Sequence, residues 1–355
     1  MKEQTDYINV LKNSLHKEKI RSPLSASIDI TSKCNLSCAH CYNKSRHAID
    51  YVNSLEIVKD IVDKLDKMHI LELTICGGEP LTSHLFLDMI KEIKKTNISI
   101  YIITNGVYID ECCKELEKLL TENDCIQVSV DESLTSSNWQ RYNNIDQKKR
   151  VYDNLRKISS VFENLLVNIT PTSMNQNEII ELVKEVSDCG VKKVGATPYI
   201  PIGGNKADRI TPDYAFLKEA EEKVISYCEN NHIKYYGGIA GHICQQKIWD
   251  KADSKNKMTS DKRYCDAGNY SFHISNDGKI YPCAFMQQDD LVISDIRLSS
   301  EMIIEDFKKY AKLDNIDYPS KCRQCKRLSK CFGGCMGLIY DRYGSLNQVD
   351  PRCVV

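Results

Sequence analysis

The sequence has no apolar run approaching the roughly 18 residues needed to cross a bilayer, and its opening stretch, MKEQTDYINVLKNSLHKEKIRSP, has no apolar signal-peptide core. No membrane association or export is expected, and the chain is expected to be cytoplasmic. An excess of one charge is missing too. The 48 basic and 49 acidic residues nearly cancel, so no overall field draws in nucleic acid, and no nucleic-acid partner is expected. Internal repeats and low-complexity tracts are also lacking. Even the cysteines do not come in pairs: 17 is an odd count, which argues against a fully bridged disulfide framework. In a cytosolic chain, such a density points to metal sites or redox chemistry.

What is present has the rhythm of an α/β protein. Apolar periodicity predicts strands over residues 26–30, 71–76, 98–104, 126–130, 165–170 and 193–197. Helices are predicted between and after them, over 55–68, 84–94, 111–120, 150–159, 177–189 and 213–230, the fifth ended by Gly190. Six such units in succession imply a parallel sheet with right-handed crossovers, a partial (β/α)6 barrel of the TIM type. The expected organisation is a short extension over 1–24, the barrel over 25–238, and a separate domain over 239–355, where the alternation stops and Cys, Gly and Asp are dense.

Ligands in such sheets sit at the C-terminal strand ends. On that rim fall a cysteine loop after the first strand, Gly77-Gly78-Glu79-Pro80 after the second and Thr104-Asn105-Gly106 after the third. The loop, SKCNLSCAHCYN, spaces Cys34, Cys38 and Cys41 as C-x3-C-x2-C. Three thiolates can hold three irons of a cubane and leave the fourth open to a small molecule. A structural zinc loop, with His40 or His47 as fourth ligand, is the alternative. Farther on, Cys265, Gly278 and Cys283 precede Cys322-x2-Cys325-x5-Cys331-x3-Cys335, and Cys353 follows. Asn276-Asp277-Gly278 suits a tight hairpin that would bring Cys265 and Cys283 together.

These motifs, in this order, resemble the radical S-adenosylmethionine (SAM) superfamily, and the later cysteines resemble the seven-cysteine pattern of the SPASM domain. The resemblance implies a 4Fe–4S cluster on Cys34, Cys38 and Cys41 that cleaves SAM to a 5′-deoxyadenosyl radical, with Tyr42 as the aromatic closing the motif. Gly77, Gly78, Glu79 and Pro80 match the element that holds SAM's methionine amino group. Ser129 falls where the family places a hydroxyl against the ribose, with Asp131 beside it. Arg141 falls where related enzymes bind the SAM carboxylate, with a solvated surface arginine as the alternative. Asn105 is a further SAM contact, and Tyr199 would pack the adenine or serve as core.

By the same resemblance, Cys322, Cys325, Cys331 and Cys353 would ligate one auxiliary cluster, and Cys265, Cys283 and Cys335 the other. Cys244 would be its fourth ligand unless an iron stays open to substrate. The remaining cysteines, Cys76, Cys112, Cys113, Cys125, Cys189 and Cys228, are expected to be small core residues.

The implied activity is that of an oxidoreductase that oxidatively modifies or crosslinks a ribosomally synthesised peptide. A flavodoxin- or ferredoxin-type electron donor is implied. With about 25 residues before the first strand, a separate leader-recognition protein, or none, is expected. Ala284 stands where sulfatase maturases carry an aspartate base, which counts against formylglycine formation. A small-molecule dehydrogenase or epimerase acting on an aminocyclitol-like metabolite is the alternative, and a zinc or electron-carrier protein the remote one.

Overall fold

The computed structural model describes residues 10–12, 14–15, 21–43, 49–203, 208–239, 265–313 and 316–353. Strands β1 (Ser25–Asp29), β2 (Glu72–Cys76), β3 (Ser99–Thr104), β4 (Cys125–Ser129), β5 (Leu165–Ile169) and β6 (Lys193–Ala196) pair in parallel, in chain order. Helices α1 (Leu55–Lys67), α2 (Phe86–Ile93), α3 (Ile109–Leu119), α4 (Ile145–Ile158), α5 (Ile179–Asp188) and α6 (Tyr214–Asn230) alternate with them. The periodicities account for both kinds of element. In α1, Val58, Ile61, Val62 and Leu65 are buried on one face, and Ser54 caps the helix by accepting from the Ile57 N–H. Along β1, Ala26 and Ile28 enter the apolar core while Ser27 and Asp29 face the other side of the sheet.

Two departures from the expected pattern have local causes. Helix α4 begins at Ile145 rather than near 150 because the Asn144 side chain accepts from the Gln147 N–H, and the polar first turn that follows hides the start. A seventh parallel strand, β7 (Lys234–Tyr235), pairs with β6 beyond α6. Two residues are too few to register as a periodic run.

The C-terminal segment joins the same sheet. Strand β8 (Ser271–Ile274) lies parallel to β1, β9 (Lys279–Tyr281) returns antiparallel, and β10 (Ser294–Asp295) follows, giving the order β10-β9-β8-β1-β2-β3-β4-β5-β6-β7. The expected hairpin between β8 and β9 forms, with Gly278 at φ +88° donating its N–H to the Ser275 carbonyl at 2.9 Å. Helices α7 (Ser300–Lys309), α8 (Ser320–Arg323), α9 (Leu328–Cys331) and α10 (Met336–Tyr343) complete the described chain. Phe272 of β8 packs edge-on against Phe307 of α7, and both belong to the apolar core that contains the barrel residues. No helix among the described residues is long and apolar enough to cross a membrane.

Candidate active site

The loop after β1 carries Cys34, Cys38 and Cys41, and it is fastened at several points. Asp50 holds its base, accepting from the Thr31 hydroxyl at 2.8 Å and the Ser32 N–H at 2.6 Å. Its middle is held from across the rim, where Ala39 N–H donates to the Gln140 carbonyl at 2.7 Å. Leu36 N–H donates to Cys34 Sγ at 3.4 Å. Cys34 is exposed, Cys38 buried and Cys41 half-buried. Burial pushes the Cys34 thiol up, and pushes Cys38 up to about 11 against the opposing charge of Arg141. Metal binding here has to displace thiol protons, as thiolate ligation requires.

The turn after β2 rests directly on this loop. Gly78 N–H donates to the Thr31 carbonyl and Glu79 N–H to the Lys33 carbonyl, both at 2.8 Å. A Cβ on Gly78 would lie 2.2 Å from the Lys33 oxygen, and one on Gly77, at φ +134°, 2.5 Å from the Thr31 oxygen. Only glycine permits this backbone contact. Gly78→Ala is expected to push the turn off the cysteine loop at a cost of about 1–3 kcal/mol. The measurement is the denaturation midpoint, and an unchanged midpoint would show that the contact is not needed.

Glu79 is buried beneath the rim. Its Oε1 accepts from Thr104 Oγ1 at 2.7 Å and Leu81 N–H at 3.2 Å, and Oε2 from Asn105 N–H at 2.7 Å. Burial raises its pKa to about 7, against the lowering effect of those hydrogen bonds. A carboxylate offers about four acceptor positions, so capacity remains for one further donor. Pro80 opens the short helical turn Pro80–Thr82. Asn105 ties the end of β3 to the cysteine loop: Nδ2 donates to Asn35 Oδ1 at 2.7 Å, and Oδ1 accepts from Val107 N–H at 3.0 Å.

Ser129 closes β4, buried and in register with Asn168. Asp131 follows, fully buried, with Oδ2 accepting from Arg141 Nε at 2.6 Å and Oδ1 from Thr170 N–H at 2.6 Å. Arg141 Nη2 is also 2.6 Å from Asp131 Oδ2 and lies 3.1 Å from His40 Nε2, while Nη1 points to Cys38 Sγ at 3.9 Å. Arg141 is therefore not a solvated surface arginine. Its side chain is 11% exposed. His40 Nε2 faces Arg141 and Asp131, and His47 lies outside the described residues. Tyr42 meets Phe285 edge-on at 4.7 Å. Tyr199 is buried, and its carbonyl accepts from Arg352 Nη1 at 3.5 Å.

The C-terminal cysteines sit in or beside short helices and strand ends. Cys265 precedes β8, and Cys283 follows β9. Cys322 lies in α8, and Arg327 N–H donates to Cys325 Sγ at 3.4 Å, repeating the Leu36–Cys34 arrangement two residues on. Cys331 ends α9, and Cys335 precedes α10. A buried pair missed by motif reading fastens the last two cysteines. Asp350 Oδ2 accepts from Cys335 N–H at 2.8 Å and from Arg352 Nη2 at 2.9 Å, and the Asp350 carbonyl accepts from Cys353 N–H at 2.9 Å. Burial raises the Cys335 thiol to about 11, with Arg352 opposing, and the charge of Cys265 acts on it as well. Cys244 lies outside the described residues. Of the cysteines expected in the core, Cys112, Cys125, Cys189 and Cys228 are buried there, whereas Cys113 and Cys76 are partly exposed and Cys76 donates to Asp29.

Three thiols on one backbone-fastened loop, a peptide N–H on one sulfur and a guanidinium by another fit a cluster with three protein ligands. The sequence model of the Radical SAM superfamily matches residues 28–209, and that of an iron-sulfur cluster-binding domain, SPASM, matches residues 265–326. The chain belongs to the radical SAM superfamily; it is an enzyme with SAM and 4Fe–4S clusters as cofactors. The second match includes Cys265, Cys283, Cys322 and Cys325 and ends before Cys331.

The chain is 22% identical over 348 residues to mycofactocin maturase MftC of Mycobacterium tuberculosis, covering 94% of this chain and 83% of that one. It is 22% identical over 346 residues to the AdoMet-dependent heme synthase of Methanosarcina barkeri, covering 92% and 95%. The crystal structure of Streptococcus suis SuiB bound to precursor peptide SuiA shares the fold with a TM-score of 0.75 and 19% identity, over 97% of this chain and 79% of that one.

Proposed function

We propose that this enzyme oxidatively modifies or crosslinks a ribosomally synthesised peptide. The observation that carries the reading is the likeness to a mycofactocin maturase, which runs through 94% of this chain. The fold is also that of SuiB, which has been seen with a precursor peptide bound. When bound, SAM and its cluster supply a 5′-deoxyadenosyl radical that takes hydrogen from an unactivated carbon. In this reading Cys34, Cys38 and Cys41 hold that cluster. The remaining acceptor position of Glu79 takes SAM's ammonium, Arg141 Nη1 its carboxylate, and Ser129 the ribose, with Asn105 and Tyr199 lining the site. Cys265, Cys283, Cys322, Cys325, Cys331, Cys335 and Cys353 hold the auxiliary clusters, with either Cys244 or an iron left open to substrate completing the set. We place the enzyme in the cytoplasm, with a flavodoxin- or ferredoxin-type donor and either a separate leader-recognition protein or none.

Arg141→Ala is expected to weaken SAM binding by about 1.5–3 kcal/mol, the range for a charge-assisted hydrogen bond. The rate at saturating SAM should fall less, because a contact far from the breaking bond contributes similarly to ground and transition states. An unchanged apparent SAM affinity would remove Arg141 from the site.

A second reading rests on the heme synthase likeness, which spans 95% of that relative: dehydrogenation or epimerisation of a small molecule, an aminocyclitol for example. The experiment that separates the two incubates reduced enzyme and SAM with peptides encoded beside its gene. A loss of about two mass units per 5′-deoxyadenosine supports peptide oxidation. A mass-neutral product, or turnover only with a sugar or cyclitol, sinks it.

A further inference from the structure

Strands β8, β1 and β2 lie side by side and place three metal-ligating side chains together. Ser27 and Asp29 of β1 share a face, His273 stands opposite Ser27, and Cys76 stands opposite Asp29. Asp29 and His273 are buried and Cys76 is half-buried. One donor atom of each lies within 4.8 Å of the others. His273 Nε2 is 3.3 Å from Asp29 Oδ2, and Cys76 Sγ is 3.4 Å from Asp29 Oδ1. A tetrahedral zinc with bonds of ~2.0 Å to oxygen and nitrogen and ~2.3 Å to sulfur keeps its ligand atoms about 3.3–3.5 Å apart.

The hydrogen bonds of this cluster leave one buried acceptor, on Gln287, unmet. His273 Nδ1 is 2.9 Å from Ser27 Oγ. If that nitrogen donates, Nε2 turns a lone pair toward the Asp29 carboxylate. If Nε2 carries the proton instead, it meets the Gln287 amide nitrogen at 3.0 Å. Gln287 Oε1 is meanwhile buried without a hydrogen-bond partner, and exchanging the nearly indistinguishable oxygen and nitrogen of this amide turns that oxygen toward His273. Among the described residues, His273 is also the one ion-pair partner of Asp29, so a buried carboxylate faces no permanent cation.

We propose that Asp29, Cys76 and His273 bind a zinc ion, with the Gln287 side-chain oxygen as fourth ligand. Carboxylate, thiolate and neutral imidazole balance the charge of Zn²⁺, so the buried site is neutral. Ser27 Oγ, 2.9 Å from Nδ1, can accept from it when Nε2 ligates, and so holds the ring from behind as partners of metal-bound histidines do. Burial and the Asp29 charge hold the Cys76 thiol well above its ordinary pKa, and zinc displaces that proton on binding. Along the chain the site adjoins both cysteine systems. Asp29 is five residues before Cys34, Cys76 directly precedes Gly77, and Gln287 is four residues after Cys283.

The test uses the full-length, cluster-loaded enzyme dialysed against zinc sulfate and then freed of loosely held metal. Elemental analysis should give one zinc per chain beside the iron. The zinc K-edge spectrum should show a single sulfur at ~2.3 Å with nitrogen and oxygen at ~2.0 Å. Cys76→Ser and His273→Gln should each lose the zinc with the iron content unchanged. Gln287→Ala, in a loop outside the strands, should weaken zinc about 10-fold and keeps the test open should the strand variants fail to fold. No zinc in the loaded enzyme would overturn the proposal. So would zinc in a sulfur-rich shell that survives Cys76→Ser, since ions lodged on cluster cysteines give that shell.

Discussion

Changing Cys34, Cys38 and Cys41 together to alanine is expected to abolish 5′-deoxyadenosine formation from SAM under dithionite, while iron remains in the C-terminal region. The loss should be complete, because the three thiols are the cluster's whole protein ligand set in this reading. It should also be separable from misfolding. The loop is held by Asp50 on Thr31 and Ser32, by the Gln140 carbonyl on Ala39, and by the Gly78 and Glu79 N–H groups on Thr31 and Lys33. None of these contacts uses a cysteine side chain. Cys34 is exposed and Cys41 half-buried, so Cys38 is the one buried side chain of the three that is cut back. Iron and acid-labile sulfide analysis alongside the turnover assay checks both halves. Continued 5′-deoxyadenosine production by the triple variant would show that these cysteines do not carry the catalytic cluster.

The readable parts of the molecule were those set by local pattern. Strands β2 and β3 and helix α2 between them follow from apolar periodicity, and the β8–β9 hairpin follows from Asn276-Asp277-Gly278. Pairings between distant segments were not readable. Ser27 and His273 are 246 positions apart, and no periodicity joins β8 to β1. For the same reason Cys76 looked like a core residue: the polar group it meets comes from the neighbouring strand, and the histidine beyond from across the chain. At the rim, the motif identified Gly77, Gly78 and Glu79 as a unit. The reason for two glycines, a carbonyl of the cysteine loop where each Cβ would stand, exists only in three dimensions. Asp350 and Arg352 gave no signal, because a carboxylate that fastens the Cys335 backbone N–H has no fixed spacing from the cysteine.

Asp131→Asn is expected to cost about 3–5 kcal/mol in the cluster-free protein, the usual penalty for removing one partner of a buried ion pair. Asp131 is fully buried, and its Oδ2 takes both Arg141 Nε and Nη2 at 2.6 Å. The amide keeps the shape but presents one acceptor where there were two, and it withdraws the charge. Arg141 then keeps its positive charge with His40 and Cys38 as its nearest remaining partners. Neither supplies a permanent anion. The converse change, Arg141→Ala, should cost less, because Asp131 Oδ1 retains the Thr170 N–H at 2.6 Å and the His40 ring nitrogen Nε2 stays 3.3 Å from Oδ2. Combining the two substitutions removes both charges, so the double variant should be more stable than Asp131→Asn alone. Denaturation midpoints of the three cluster-free variants check the order. If Arg141→Ala proved the more damaging single change, the guanidinium would be held mainly by contacts other than Asp131, and the pair would not be what fixes it beside Cys38.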